Sequence, residues 1–234
     1  MQFAFPPPAP VAVPIAGRTT FFPVHRIYCV GRNYVEHAKE MGGSGREAPF
    51  FFMKPADAVL PVPAGTVAEM RYPGRTTDLQ HEIELVVAIG KGGQDIAAAD
   101  ALQHVWGYAV GLDMTRRDLQ QEAKKSGRPW CTGKGFDQSA PIAPIHPVAA
   151  AGLVAQAEIH LHVNGLPRQS SDTRKMIWDV PEIIAHLSRY YALQAGDLIF
   201  TGTPEGVAAV SPGDLLEGGI AGLGELRLRI VQAR

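Results

Sequence analysis

Residues 82–89 read EIELVVAI and stop at Gly90, and residues 106–113 read WGYAVGLD. The first run is β-branched, apolar and closed by glycine, the strongest strand signal in the chain, and the second reads as another strand. Period-two geometry puts Glu82 and Glu84 on one face of the first strand and Ile83 and Leu85 on the other. Asp113 ends the second strand, where a third carboxylate can converge. Carboxylates facing the same way repel unless a positive charge sits between them. Three oxygen donors suit a hard divalent cation, Mg2+ or Mn2+, rather than zinc. The same spacing also suits a charged strand face turned to solvent, and spacing alone leaves both readings open.

Working outward, short strands follow at 27–30 and 50–53, and a Pro-punctuated stretch runs to Pro73. Residues 158–163 alternate cleanly into Asn164-Gly165, the signal of a type I′ hairpin, with its return strand near 168–171. Further strands are expected at 198–201 and 225–231. Helices are expected over 33–41, with Asn33 as N-cap and Gly42-Gly43 as the stop, over 115–125, and over 179–191, with Asp179 as N-cap and Pro181 in the first turn. Residues 100–103 suggest a helical turn. The whole predicts a mixed, β-rich α+β fold: a rolled mixed sheet or barrel core with a few short helices. Residues 1–24, which include MQFAFPPPAP, read as a Pro-rich N-terminal arm, and 25–234 as a single domain.

Composition narrows the function classes. With 234 residues, 46% hydrophobic and 19% charged, the chain can bury one sizeable core. Its 22 basic and 23 acidic residues give a net charge of -1 without a basic block, which argues against nucleic acid. No apolar run reaches the roughly 18 residues of a membrane span, and the start lacks the basic region of a secretory signal, so a cytoplasmic protein is expected. Cys29 and Cys131 fit no zinc spacing and are expected to be unpaired.

Other clusters are weaker alone. His37 and Glu40 are spaced i, i+3 on the short helix, where a carboxylate can orient an imidazole as a general base; a plain surface pair has the same spacing. The glycine-rich stretch after them suits a hinge, so residues 33–48 are expected to behave as a lid. Lys134 sits between glycines in TGKGFD. Thr201-Gly202-Thr203-Pro204 follows a strand, and its amides and hydroxyls can cradle a carboxylate or simply make a tight turn. His160 and His162 share a strand face but lack a third ligand nearby. His81-Glu82 begins like a zinc-protease motif, but the second histidine is absent. Serine-hydrolase and P-loop signatures are missing.

In their order along the chain these segments resemble the fumarylacetoacetate hydrolase family. They are YCVGRNYVEHAKEMG (28–42), FFMKPADAV (51–59), DLQHEIELVVAIGKGG (78–93), GYAVGLDMTRRDLQ (107–120), RPWCTGKGFDQSAPI (128–142) and GDLIFTGTPEGV (196–207). The resemblance implies a rolled mixed sheet, usually dimeric, with Mg2+ or Mn2+ held by Glu82, Glu84 and Asp113. It implies that His37 and Glu40 activate water and that Lys134 is the active-site lysine. Arg117 and Gln120 match polar positions near the substrate; Arg32, Gly202 and Thr203 complete the expected substrate contacts. Larger members carry an extra metal-binding aspartate ahead of the histidine. CVGRNY has none, so water is expected in that position. The implied substrate is a small 2,4-dioxo acid, an acylpyruvate cleaved at a C–C bond. The arm and PFFFMKPADAV look most like the bacterial branch that splits fumarylpyruvate to fumarate and pyruvate in gentisate degradation. The same scaffold would also serve oxaloacetate decarboxylation, isomerisation of a 2-oxo-3-ene dioate or, without catalysis, dicarboxylate binding.

Overall fold

The strand Ile83–Ile89 is buried along its whole length because both of its faces are covered. The computed structural model describes residues 2–40 and 47–233, with backbone only at 39 and 40. Among these residues Ile83–Ile89 lies inside an eight-stranded sheet. Its hydrogen-bonded order runs Phe50–Lys54, Ile27–Gly31, Leu198–Phe200, Ile83–Ile89, Val105–Leu112, Ala140–Ile142, Val59–Pro61, with His146–Pro147 also paired to Val105–Leu112. The sheet is mixed: Leu198–Phe200 runs parallel to Ile27–Gly31, Ala140–Ile142 runs parallel to Val59–Pro61, and the other pairs along that order are antiparallel.

Ile83, Leu85, Val87 and Ile89 point into one hydrophobic cluster. There they meet a second sheet of five strands, ordered Leu166–Asp172, Glu158–Val163, Leu215–Ile220, Gly224–Val231, Ala68–Arg71. The helix Val180–Leu187 adds Val180, Ile183, Ile184 and Leu187 to that cluster. Val86 and Ala88, on the opposite face, join Ile27, Cys29, Leu198 and Phe200 in a second cluster. An antiparallel ribbon, Ala12–Pro14 with Phe21–Pro23, covers this face with buried Val13, Ile15 and Phe22. Ahead of it, Phe3 and Phe5 are exposed. The sheets curl around the two clusters, the β-rich rolled architecture that the alternation predicts. No helix among the described residues is long and apolar enough to cross a membrane.

Most expected elements form, with shifted ends. The strand bounds move by a residue or two, and Asn164 and Gly165 both take the positive φ that a type I′ turn demands. Asp179 caps its helix through a reciprocal pair with Glu182, but the helix ends at Leu187, short of residue 191. The helix expected over 115–125 begins only at Arg117, because Thr115–Arg116 pairs with Leu79–Gln80. Asn33 does not cap the helix Val35–Glu40: its side chain is taken by long-range bonds described below. A single helical turn, Cys131–Lys134, carries Lys134, where no helix was expected. Of the glycine-rich stretch expected as a hinge, and of the lid expected over 33–48, residues 41–46 lie outside the described residues.

Candidate active site

At one end of the sheet the ribbon no longer covers the face of Val86 and Ala88. There Glu82 and Glu84 continue the same alternation. The register sets Ile83 opposite Leu112, so Glu82 lies beside Asp113, and the Asp113 amide donates to the Glu82 carbonyl at 2.8 Å. Ligand atoms of Glu82, Glu84 and Asp113 all lie within 4.8 Å of one another, and all three residues are buried. Gly111, opposite Glu84, allows this packing, since a Cβ there would stand 2.5 Å from Val86 and 2.7 Å from the Phe200 ring.

Three buried acids need cations, and the structure supplies them unevenly. Lys134 Nζ donates to Glu82 Oε2 and Asp113 Oδ2, each at 2.7 Å. Arg117 pairs with Glu82 and donates to Gln80 Oε1 at 2.8 Å and Gln120 Oε1 at 2.6 Å. Lys54 Nζ sits 2.8 Å from Asp113 Oδ1 without hydrogen-bonding alignment, so that oxygen has no donor. Glu84 has no ion pair among the described residues; its Oε2 accepts only the Gly202 amide, at 2.7 Å. Gly202 is held at φ +95, where a Cβ would lie 2.7 Å from that of Asn33. Of this turn the Gly202 amide reaches a carboxylate, that of Glu84, while the Thr201 and Thr203 hydroxyls donate to the carbonyls of Leu85 and Ile83.

The electrostatics follow these contacts. Burial pushes Glu82 up, but Lys134, then Arg117 and His37, outweigh it and hold its pKa below the ordinary carboxylate range. Glu84 lacks such a partner. Burial, then the charges of Asp113 and Glu82, raise its pKa well above the usual value. Burial lowers Lys134, yet Asp113 and Glu82 overcome it and keep the ammonium charged. Glu84 without an ion pair among the described residues, and Asp113 Oδ1 without an aligned donor, leave carboxylate oxygens available to a divalent cation. The all-oxygen donor set matches Mg2+ or Mn2+.

These acids line the floor of a cleft. Lys134, Arg117, Gln120 and Thr203 line it, as do Arg32 and His37 from the segment after Ile27–Gly31. Nine of the eleven residues singled out by sequence therefore reach one cleft. The tenth, Gly202, acts from behind it on Glu84. The eleventh, Glu40, ends the helix Val35–Glu40 with its side chain outside the described residues. His160 and His162 stay half-buried on Glu158–Val163, apart from the acid cluster. Phe50, Phe52 and Trp130, which sequence reasoning passed over, form an aromatic wall, with Trp130 centred 5.4 Å from Phe50 and 5.6 Å from Phe52.

Three buried polar side chains that hold the site were also missed. Lys54 donates to the Met114 carbonyl at 3.3 Å and to the Lys134 carbonyl, fixing the turn that carries Lys134. Gln169 accepts from the Ile83 amide at 3.1 Å and donates to Thr203 Oγ1 at 2.8 Å. Asn33 donates to the carbonyls of Trp178 and Thr201 at 2.9 and 2.8 Å and accepts from the Trp178 amide at 2.8 Å. Each joins segments far apart in sequence. The one local sign was an amide or lysine inside an otherwise apolar or structured run.

A buried three-carboxylate cation site at the open end of a curled β-sheet defines a class of metal-dependent enzymes. The chain belongs to the fumarylacetoacetate hydrolase family: the model of the fumarylacetoacetate hydrolase C-terminal region matches residues 26–231. A crystal structure of fumarylpyruvate hydrolase from Pseudomonas aeruginosa, in complex with Mn2+ and pyruvate, is 55% identical and covers 99% of this chain and 100% of its own, with a TM-score of 0.98. A fumarylpyruvate hydrolase of Ralstonia sp is 48% identical over 184 residues, 79% of this chain and 93% of that protein. A mitochondrial oxaloacetate decarboxylase of Dictyostelium discoideum is 41% identical over 198 residues, 85% of this chain and 89% of that protein.

Proposed function

We propose that the protein is a divalent-metal-dependent hydrolase that cleaves fumarylpyruvate, a 2,4-dioxo acid, to fumarate and pyruvate. The observation that carries this reading is the convergence of His37, Lys134 and the three acids on one cleft. Glu82, Glu84 and Asp113 would hold Mg2+ or Mn2+. When bound, the ion supplies Lewis acidity toward the 2-oxo acid end of the substrate. His37, for which the i, i+3 spacing of Glu40 suggests an orienting carboxylate, takes a proton from water, and the oxygen attacks the C4 carbonyl. The C3–C4 bond breaks, its electron pair passes to pyruvate as the enolate, and a proton returns to C3. Lys134, whose Nζ donates to Glu82 and Asp113 at the floor of the cleft, is placed to stabilise that developing negative charge. Arg32, Arg117, Gln120 and Thr203 position the substrate, and Gly202 positions Glu84.

Two features of the wider reading go with this. We further infer that residues 25–234 are the catalytic domain and that the chain is a homodimer, with the Pro-rich arm or a sheet edge contributing to the contact; a monomer mass by light scattering at micromolar concentration would contradict it. The place of such an enzyme is cytoplasmic breakdown of aromatic acids through gentisate.

A second reading, oxaloacetate decarboxylation, is favoured by the Dictyostelium relative. It produces the same enolate without water attack. Pyruvate release from fumarylpyruvate, acetylpyruvate and oxaloacetate, measured in parallel with Mg2+, separates the two. Hydrolysis predicts the fastest turnover on fumarylpyruvate; turnover of oxaloacetate alone would overturn it.

A further inference from the structure

The cleft holds three cationic side chains, and two of them are committed. Lys134 is shared by Glu82 and Asp113, and Arg117 is taken by Glu82 and two glutamine oxygens. Arg32 differs. Among the described residues it makes no ion pair, and its Nε is buried without a hydrogen-bond partner. Its guanidinium carbon lies 5.7 Å from the centre of the Phe50 ring. A buried guanidinium donor left unpaired is costly, so a site that keeps one has an acceptor to receive.

The backbone supports this. Arg32 sits at φ +56, a left-handed conformation that a bulky residue rarely adopts. The strand Ile27–Gly31 fixes it on one side, and Asn33, clamped by Trp178 and Thr201, fixes it on the other. Local strain of this kind persists where the surrounding structure imposes it, and such positions cluster at ligand sites. Beside Arg32 stands the aromatic wall of Phe50, Phe52 and Trp130, a surface matched to a flat, conjugated chain.

We propose that Arg32 and this wall form the acyl subsite, with Arg32 binding the terminal carboxylate of the acyl group, so that the enzyme selects acylpyruvates ending in a second carboxylate over neutral ones. The assignment rests on the acylpyruvate reading above. A carboxylate there gains the charge-assisted, bidentate pairing that a guanidinium fork offers. An acetyl group leaves the guanidinium unpaired, and the difference between the two substrates is the specificity.

The test compares wild type with Arg32→Gln, Arg32→Lys and Arg32→Gly, all Mn2+-loaded; glycine accepts the left-handed backbone and guards against misfolding. For Arg32→Gln, kcat/KM on fumarylpyruvate is expected to fall about 10- to 100-fold, the loss of one charge-assisted pair. On acetylpyruvate, which offers Arg32 no second carboxylate, the loss should be several-fold smaller, so that the fumarylpyruvate-to-acetylpyruvate ratio of kcat/KM falls, and Arg32→Lys should recover part of the discrimination. Equal losses on both substrates, or an unchanged ratio in both Arg32→Gln and Arg32→Gly, would overturn the assignment. Calorimetry of fumarate against crotonate, which lacks the second carboxylate, gives a readout independent of turnover. Fumarate should bind wild type more tightly than crotonate, and Arg32→Gln should remove that preference. If wild type cleaves neither acylpyruvate yet keeps the fumarate preference through Arg32, the acylpyruvate reading fails and the subsite stands. If wild type cleaves both and binds fumarate and crotonate alike, the reverse holds.

Discussion

The three carboxylates and His37 share a cleft but are held by opposite means. The acids sit on or beside paired strands inside the central sheet. Their oxygens are fixed by buried cations and, for Glu84, by a backbone amide. His37 rides on Val35–Glu40, a helix of 6 residues, well under the length at which helices persist alone in water. What holds it comes from elsewhere: the Ala38 amide bonds the Tyr34 carbonyl, Tyr34 pairs with Met176, and Asn33 ties the helix entry to Trp178 and Thr201. The difference teaches that the cation site is built by local alternation, and the base by long-range anchoring. The two can therefore be broken separately.

The largest effect falls on the acids. Glu84→Gln should abolish binding of Mn2+, read by calorimetry, and take hydrolysis to background while circular dichroism stays native. Exhaustive chelation of wild type should do the same, reversed by Mn2+ or Mg2+. Full activity after chelation would remove the metal from the reading.

Next comes the base. His37→Ala should lose hydrolysis by about two to four orders of magnitude while Mn2+ affinity is unchanged. That contrast is the comparison at its sharpest, since one side of the cleft fails and the other does not. Oxaloacetate decarboxylation, which needs no attacking water, should survive better in the same variant. Wild-type hydrolysis of acylpyruvates by His37→Ala would move the role of base to another group.

A smaller effect concerns pH. Glu84 has its pKa raised by burial, then by Asp113 and Glu82, so below that pKa the metal-free site carries a proton there. A cation must displace it, and raising the pH removes the competitor. Mn2+ affinity should therefore rise with pH, by about tenfold per unit below the Glu84 pKa, and level off above it. An affinity that is flat from pH 5 upward would show that Glu84 is already ionised.

How far all this was legible in the sequence depends on the range of each contact. Glu82 and Glu84 could be paired because period two is a property of a single strand. Asp113 joined them because it ends the next strong strand and the register lines it up. The rolled, β-rich core followed from the same alternation. Lys54, Gln169 and Asn33 were illegible because their partners stand 60, 86 and 168 residues away. Asn33 even carries a local signal, that of an N-cap, which the tertiary bonds override. Cys131–Lys134 gave no helical signal, since CTGK holds a glycine and spans only 4 residues. Asn33→Ala probes this hidden layer: it removes three hydrogen bonds, one buried and two part-buried, so a loss of roughly 2 kcal/mol and a fall in Tm of about 4–8 °C are expected. A Tm unchanged to within one degree or so would mean that the helix entry is held by packing alone.

The smallest expected effect on turnover is at the cysteines, and it tests whether anything in the core besides the acids reaches the chemistry. Cys29 lies on Ile27–Gly31, buried in the cluster behind the site, and Cys131 is exposed on the turn that carries Lys134. Both are near enough to the cleft to raise the question of a thiolate. Burial pushes the Cys29 thiol well up, and the charge of Asp113 adds to it, so Cys29 stays protonated and inert at neutral pH. Cys131 stands 3 residues before Lys134, but its turn is held by backbone bonds from Gly133, Lys134 and Gly135 and not by its sulfur. Cys29→Ser should cost about 1–3 kcal/mol for placing a hydroxyl among apolar neighbours. Cys131→Ser should cost almost nothing. Neither should change kcat/KM by more than about twofold, against the orders of magnitude at His37. A large loss of turnover in Cys29→Ser with an unchanged metal affinity and a native spectrum would put a thiol into the mechanism and break the division between a chemically silent core and a reactive cleft.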